Sequence, residues 1–461
     1  MISDIVSSLS GSFAPGAHSE LRAQKSLDRR VVLLNGSLVG NTRQDSQGVS
    51  ARVYQNGVYG FASAADLSAE AAKKALLTAS QNAAFLNEKT NPGKGPLPQI
   101  MRGVLPAQKD FKDVEQKRYL DFVTAIDQYI VEKYPDLASR TIVATADSME
   151  KQILTSDGYQ AHTLAPRAYI YVMMSSQTRD GMPVEVFKPF GKSGTFEDNF
   201  TDPALLYGGI DQLYEHLMKK REGVFAEAGV KTVILSGELS GILAHEAVGH
   251  TVEGDLVLGG SVAGPNLNQM VASPLVSMTD FAHTAFGETA PLPVYVDDEG
   301  VLAEDAELIR NGKLVGYMLN RELGRHFNMQ PRGNARAFAF NDEPLIRMRN
   351  TAIHAGPNKL ADMIANTEDG YYLISTNNGQ ADTTGEFMFG VTVGYEIKNG
   401  KLGRGLFDTT ISGVAFDMLK TVDMVSDTVT WGSSGFCGKK QPMPVGIGGP
   451  ELRCKVMVGG K

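Results

Sequence analysis

Residues 245–250 read His-Glu-Ala-Val-Gly-His, two histidines five apart with a glutamate directly after the first. Imidazole nitrogens and a carboxylate in so short a segment are the parts of a metal-dependent hydrolase. A catalytic zinc ion takes three protein ligands, leaves a fourth position for water, and lowers the pKa of that water to about 7. Glu246 would then be the general base that takes the proton and returns it to a leaving amine. With 8 histidines in 461 residues, a chance H-E-x-x-x-H arises on the order of 0.01 times per chain.

The spacing poses a geometric problem. The usual helical form of this pair is H-E-x-x-H, whose histidines lie within about 40° of each other on a helix, whereas five residues leave them about 140° apart. An ideal helix through both residues could not bring them to one ion, and the competing reading is a core helix with one buried histidine. Two local distortions rescue the site. One is a π-type turn closing from residue i to i+5. The other is a helix that ends near Gly249, with His250 swinging in from the cap; glycine tolerates both.

The third ligand is absent from the segment itself. Glu253 and Asp255, in the following TVEGD, are candidates as ligands or as acceptors for the histidine N–H groups. Cys437 is another candidate, in the glycine-bounded loop GSSGFCGKK. Cys454 reads differently. It alternates with Leu452, Val456 and Val458, the pattern of a buried strand face, where cysteine serves as a small apolar residue. Of the other histidines only His283, in DFAHTAFGE, is kept as an outside candidate; His216 reads as part of a solvated helix.

Elements must position these groups. VVLLNGSLVG and ARVYQNGVYGFAS each set Asn-Gly between β-rich runs, predicting hairpins at Asn35-Gly36 and Asn56-Gly57. A helix follows with Ser68 as N-cap and Ala72, Ala75, Leu76, Ala79, Ala83 and Leu86 at helical spacing. A second runs from about Val114 to Tyr134, and a third opens at Asp202-Pro203. Strands are expected from Thr141 to about Pro189, with turns at Asp157-Gly158 and Asp180-Gly181. Beyond the polar stretch 219–223, KTVILS is a strand leading into the histidine segment. Ile309–Leu314 and Ile397–Leu402 share I-x-N-G-K-L, the same hairpin chemistry used twice. The predicted fold class is α+β: an N-terminal α/β domain over 1–225, and a C-terminal, mostly antiparallel β domain over 226–461 that carries a short site helix.

Bulk composition narrows the function classes. A length of 461 residues favours two domains. Forty-four Lys and Arg against 52 Asp and Glu give a net charge of −8, which argues against a nucleic-acid partner. No apolar run approaches the roughly 18 residues of a membrane span, and the first residues lack the pattern of a secretory signal. Two cysteines argue against a disulfide scaffold, so a cytoplasmic location is expected.

HEAVGHTVEGD, VDDEG at 296–300, GNAR at 333–336 and GFCGKKQPMPVGIGGPELR together resemble the TldD/PmbA family of metallopeptidases. The resemblance extends over most of the chain and is strongest from Lys231 onward. TldD-like members have the H-E-x-x-x-H motif and TldE (PmbA)-like members lack it; this chain is similar to the former. The resemblance implies Zn²⁺ held by His245, His250 and Cys437, with Glu246 as acid/base. It implies short or unfolded peptides as substrates, and a homodimer or a heterodimer with a TldE/PmbA-like subunit. A stretch similar to Asn377–Asp382 lies near the active site in the family, which makes Asn378 and Gln380 substrate-contact candidates. The family label "modulator of DNA gyrase" fits poorly with the acidic charge. A different class remains open: a binding or regulatory subunit whose metal is structural, or whose site needs a partner. A thiol enzyme using Cys437 would keep its activity under chelation.

Overall fold

The computed structural model describes residues 11–98, 100 and 113–460, together with Ile5 and Leu9; for Asn377 and Asn378 it describes the backbone alone. The first region is built on a six-stranded, wholly antiparallel sheet. Its strands are β1 (His18–Leu34), β2 (Ser37–Gln55), β3 (Val58–Ala64), β4 (Ser139–Thr155), β5 (Gln160–Gln177) and β6 (Pro183–Ser193). They lie in the order β3-β2-β1-β4-β5-β6. The Asn-Gly turns have positive φ at both residues, 49° and 78° at Asn35-Gly36 and 51° and 109° at Asn56-Gly57. That is the type I′ geometry asparagine and glycine accept at least cost.

Two helices lie between the hairpin strands and β4. Ala69–Thr90 is capped by Ser68, whose hydroxyl accepts from Ala71 N–H. Its buried face is almost all alanine, which lets it sit very close to β3: a side chain at Gly60 would begin 2.1 Å from the carbonyl of Ala79. Gln116–Lys133 buries Tyr119, Phe122, Ile126 and Ile130. The third expected helix begins as a 3₁₀ turn, Pro203–Leu206, and continues as Tyr207–Arg221. Ile210, Leu213 and Leu217 from it share a core with those aromatics and with Val393 and Tyr395 of the second region.

In the second region, the strand Gly229–Leu235 pairs antiparallel with Leu452–Val458 and, over three residues, parallel with Asp369–Ala381. The latter pairs with Glu386–Lys398, which pairs with Thr409–Val414. That strand returns to Leu452–Val458, so the pairings close into a ring. Another sheet is centred on Met278–Phe281, Asn350–Ile353 and Gly446–Gly449. Between the ring and this sheet runs the helix Gly237–Leu243. A side chain at Gly449 would begin 2.1 Å from Ser240 Oγ. The GIGG run is therefore glycine because a helix lies directly on it. Both I-x-N-G-K-L segments are hairpins.

The two regions meet through buried ion pairs. Arg52 Nη2 lies 2.8 Å from Glu20 and 2.6 Å from Glu299, and Lys151 Nζ lies 2.8 Å from Asp298. The VDDEG segment works here as architecture. Asp297 accepts from the backbone N–H groups of Glu299, Val301 and Ala335, while Asp298 and Glu299 bind cations of the first sheet.

Candidate metal centre

The helix that leaves Leu235 is regular through Leu243, then widens into a π turn over Ala244–Gly249 and tightens to 3₁₀ over His250–Val252. The N–H of His250 bonds to the carbonyl of His245, five residues back. This closure returns the two histidines to one face, and their ring centroids are 5.2 Å apart. The helix does not end at Gly249, which has ordinary helical angles, φ −53° and ψ −50°. Glycine is needed there for space, because a side chain would begin 2.2 Å from Met348 Sδ. Gly249 thus serves close packing at unstrained helical angles.

Cys437 arrives from 187 residues further along, with Sγ 3.3 Å from His250 Nε2. Ligand atoms of His245, His250 and Cys437 all lie within 4.8 Å of one another. Arg347, fully buried, holds the cysteine loop: it donates to the carbonyls of Cys437, Lys439 and Gln441 at 2.6, 2.9 and 2.6 Å. Burial acts to raise the Cys437 thiol, but the imidazoles of His245 and His250 outweigh it and pull the thiol down to about 3. Burial likewise acts to lower His250, and is outweighed by Cys437 and Glu253, which raise it to about 10. His245 is buried, and among the described residues neither of its ring nitrogens has a hydrogen-bond partner. Unpaired buried nitrogens are costly. Two imidazoles and a low thiol converging on one point fit a metal ion, since that is the donor set borderline-soft cations take.

The remaining candidates divide. Glu246 Oε2 is 3.7 Å from His250 Nε2, and its side chain is 29% exposed, on the open side of the trio. Glu253 is fully buried and its Oε2 accepts from His250 Nδ1 at 2.7 Å. Asp255 stands further out: it binds Lys439 Nζ at 2.8 Å, and that ammonium is also 3.3 Å from Glu253. The row Asp255–Lys439–Glu253–His250 thus ties the cysteine loop to the histidine ring. Gln380 is exposed on the strand Asp369–Ala381; the side chain of Asn378 lies outside the described residues. His283 is half-buried, bonded to Thr284 and stacked on Tyr295, away from the trio. His216 is not simply solvated: its Nδ1 meets Tyr395 Oη at 2.5 Å, between the two regions. Cys454 is buried on its strand, its thiol pushed up to about 12 by burial, and neither cysteine is in a disulfide.

Sequence reasoning did not find Arg347 or Lys439. The signal for Arg347 was present in LIRMRN, where a cation interrupts an apolar run and must be satisfied in the interior.

Residues 228–460 match the family model described as PmbA/TldA metallopeptidase C-terminal domain, and residues 19–83 match PmbA/TldA metallopeptidase domain 1. The chain belongs to the TldD/PmbA family. A Saccharolobus solfataricus protein described as a zinc metalloprotease TldD homolog is 34% identical over 253 residues, 54% of this chain and 56% of that protein. The alignment therefore spans little more than half of that relative. A Methanothermobacter thermautotrophicus protein described as a metalloprotease is 28% identical over 96% of this chain and 95% of its own length. The fold is also that of TldE from Thermococcus kodakarensis, at a TM-score of 0.75 and 15% identity, covering 98% of this chain and 99% of the other. No described helix is long and apolar enough to cross a membrane.

Proposed function

We propose that this chain is a zinc-dependent peptidase of short or unfolded peptides, with Zn²⁺ held by His245, His250 and Cys437, and Glu246 as the proton-transferring group. The observation that carries the reading is the buried imidazole of His245, without a hydrogen-bond partner among the described residues, facing a low thiol and a second imidazole. Three protein ligands, rather than the four of a structural site, favour catalysis over a purely structural metal. A bound zinc ion supplies Lewis acidity, lowering the pKa of a water and polarising an amide carbonyl. The protein's own groups do the rest. Glu246 accepts the proton of the attacking water on its half-buried carboxylate and gives it to the leaving nitrogen. Glu253 holds the His250 ring by Nδ1 so that Nε2 points at Cys437, and Lys439 keeps Glu253 and the cysteine loop in register.

The domain division near residue 225, a cytoplasmic setting, and a partner that is a second copy or a TldE/PmbA-like subunit belong to the same reading. From Ser375 to Ala381 the strand Asp369–Ala381 has one strand partner among the described residues, which supports an extended peptide as substrate.

Metal analysis together with digestion of an unfolded peptide tests it. The wild type is expected to carry one zinc per chain, and His250→Ala none. Glu246→Gln is expected to keep zinc and fold while losing about 10³-fold in turnover. Turnover that survives either Glu246→Gln or full chelation would refute the assignment.

A further inference from the structure

Across residues 237–250 four positions escape full burial: Glu238, Ile242, Glu246 and His250. They recur every four residues. On a uniform α-helix each such step drifts by about 40°, but the π turn takes back part of the drift, so the four side chains form one stripe. His250 and Glu246 stand at one end of it, beside Cys437, and Glu238 at the other. At 1.5 Å per residue the eight positions from Glu238 to Glu246 span about 12 Å, the reach of three to four residues of extended chain.

The strand Asp369–Ala381 flanks this stripe. Its neighbour Gly229–Leu235 pairs with it only as far as Leu373. Ile242 Cγ2 lies 3.6 Å from where a side chain at Gly379 would begin. Glu238 faces the same strand, accepting from Ser375 Oγ at 3.3 Å and from Thr376 N–H at 3.4 Å. Both bonds are long, and the strand is irregular there, with register shifts between Leu373 and Asn378.

No cation lies within ion-pair distance of Glu238 among the described residues. Lys188 is close enough to act on its charge, but donates its Nζ to Gln212 Oε1 at 3.1 Å instead. Burial raises the Glu238 carboxyl to about 6, outweighing Thr376, Ser375 and Lys188. A partly buried carboxylate served by two long hydrogen bonds keeps room for a stronger partner, and a cation supplied from outside would be one.

We infer that Glu238 is a specificity-determining residue of the peptide groove, its carboxylate taking a positively charged group of the substrate three to four residues from the scissile bond. This rests on the peptidase reading above. The cation is a lysine or arginine side chain or the free amino terminus, chemistry that Glu238 meets in the same way.

The test uses fluorescein-labelled decapeptides binding to the full-length Glu246→Gln chain, read by anisotropy. One series moves a single Lys through a neutral Gln-containing sequence; a second compares free and acetylated amino termini. Wild-type cleavage sites, mapped by mass spectrometry, set the register. A Lys or a free terminus at one position, three to four residues from the cut, is expected to tighten binding about tenfold over its neutral counterpart. Adding Glu238→Gln should bring that ratio within about twofold, and Glu238→Lys should turn the preference to Glu at the same position. The series that responds identifies the source of the charge. A flat profile, a preference at another distance, or one that survives Glu238→Gln overturns the inference. Should the wild type cleave none of the peptides while the Glu238-dependent preference persists in binding, the peptidase reading falls and the groove assignment stands.

Discussion

Two buried polar clusters in this molecule serve opposite ends. At the junction of the two regions, Arg52 lies between Glu20 and Glu299, and Lys151 meets Asp298 and the carbonyl of Ala337. Charge there is answered by charge inside the protein: burial acts to raise Asp298, and Lys151 and Arg22 outweigh it and hold the carboxyl below the usual range. In the His245–His250–Cys437 trio, by contrast, three side chains of metal-ligand type face one another, and among the described residues neither ring nitrogen of His245 has a hydrogen-bond partner. Three metal-binding side chains converging on one point, one of them a buried imidazole, suit a metal ion, whereas carboxylates each matched to a guanidinium or ammonium mark construction. The contrast also separates motif from machinery: VDDEG, as conspicuous in the sequence as HEAVGH, holds two regions together.

The contrast can be broken in three places. Arg52→Met leaves two buried carboxylates without their shared cation and should cost about 3–5 kcal/mol of stability, with zinc per folded molecule unchanged. Thermal or denaturant unfolding with metal analysis on the folded fraction checks this; loss of metal at unchanged stability would erase the distinction. Glu253→Gln weakens the acceptor that orients His250 and should lower metal affinity about tenfold or more. Competition with a chromophoric chelator measures it, and unchanged affinity would remove Glu253 from the site. The smallest effect sharpens the comparison within one residue type: Cys454→Ala should cost about 1 kcal/mol of packing and no metal. A drop in bound zinc there would mean that the wrong cysteine has been read as apolar.

Much of this was readable beforehand, in places where short-range physics decides. The Asn-Gly hairpins, the Ser68 cap and the alanine-faced helix follow from φ preferences, capping and spacing that act within a few residues. The five-residue interval between the histidines is equally local. It forbids a regular helix at a shared site, and the choice between a π turn and a helix end was the part left open. Packing chose. Met348 presses on Gly249, and the chain runs on helically through Val252.

What only the tertiary structure decided involves groups far apart in the chain or atoms that face one another by chance of folding. Arg347 and Lys439 hold the cysteine loop through contacts made across roughly 90 and 180 residues. Glu238 is unexceptional in sequence, one acid at the start of a helix. Its meaning comes from sharing a stripe with Glu246 and facing a strand more than a hundred residues away. The sequence alone determined which residue types were available and how the turns and helices near them had to form, because those depend on neighbours along the chain. The closure of the trio, the division between satisfied and unsatisfied charge, and the open side of the site helix required the fold, because each depends on which distant atoms share the same few ångströms.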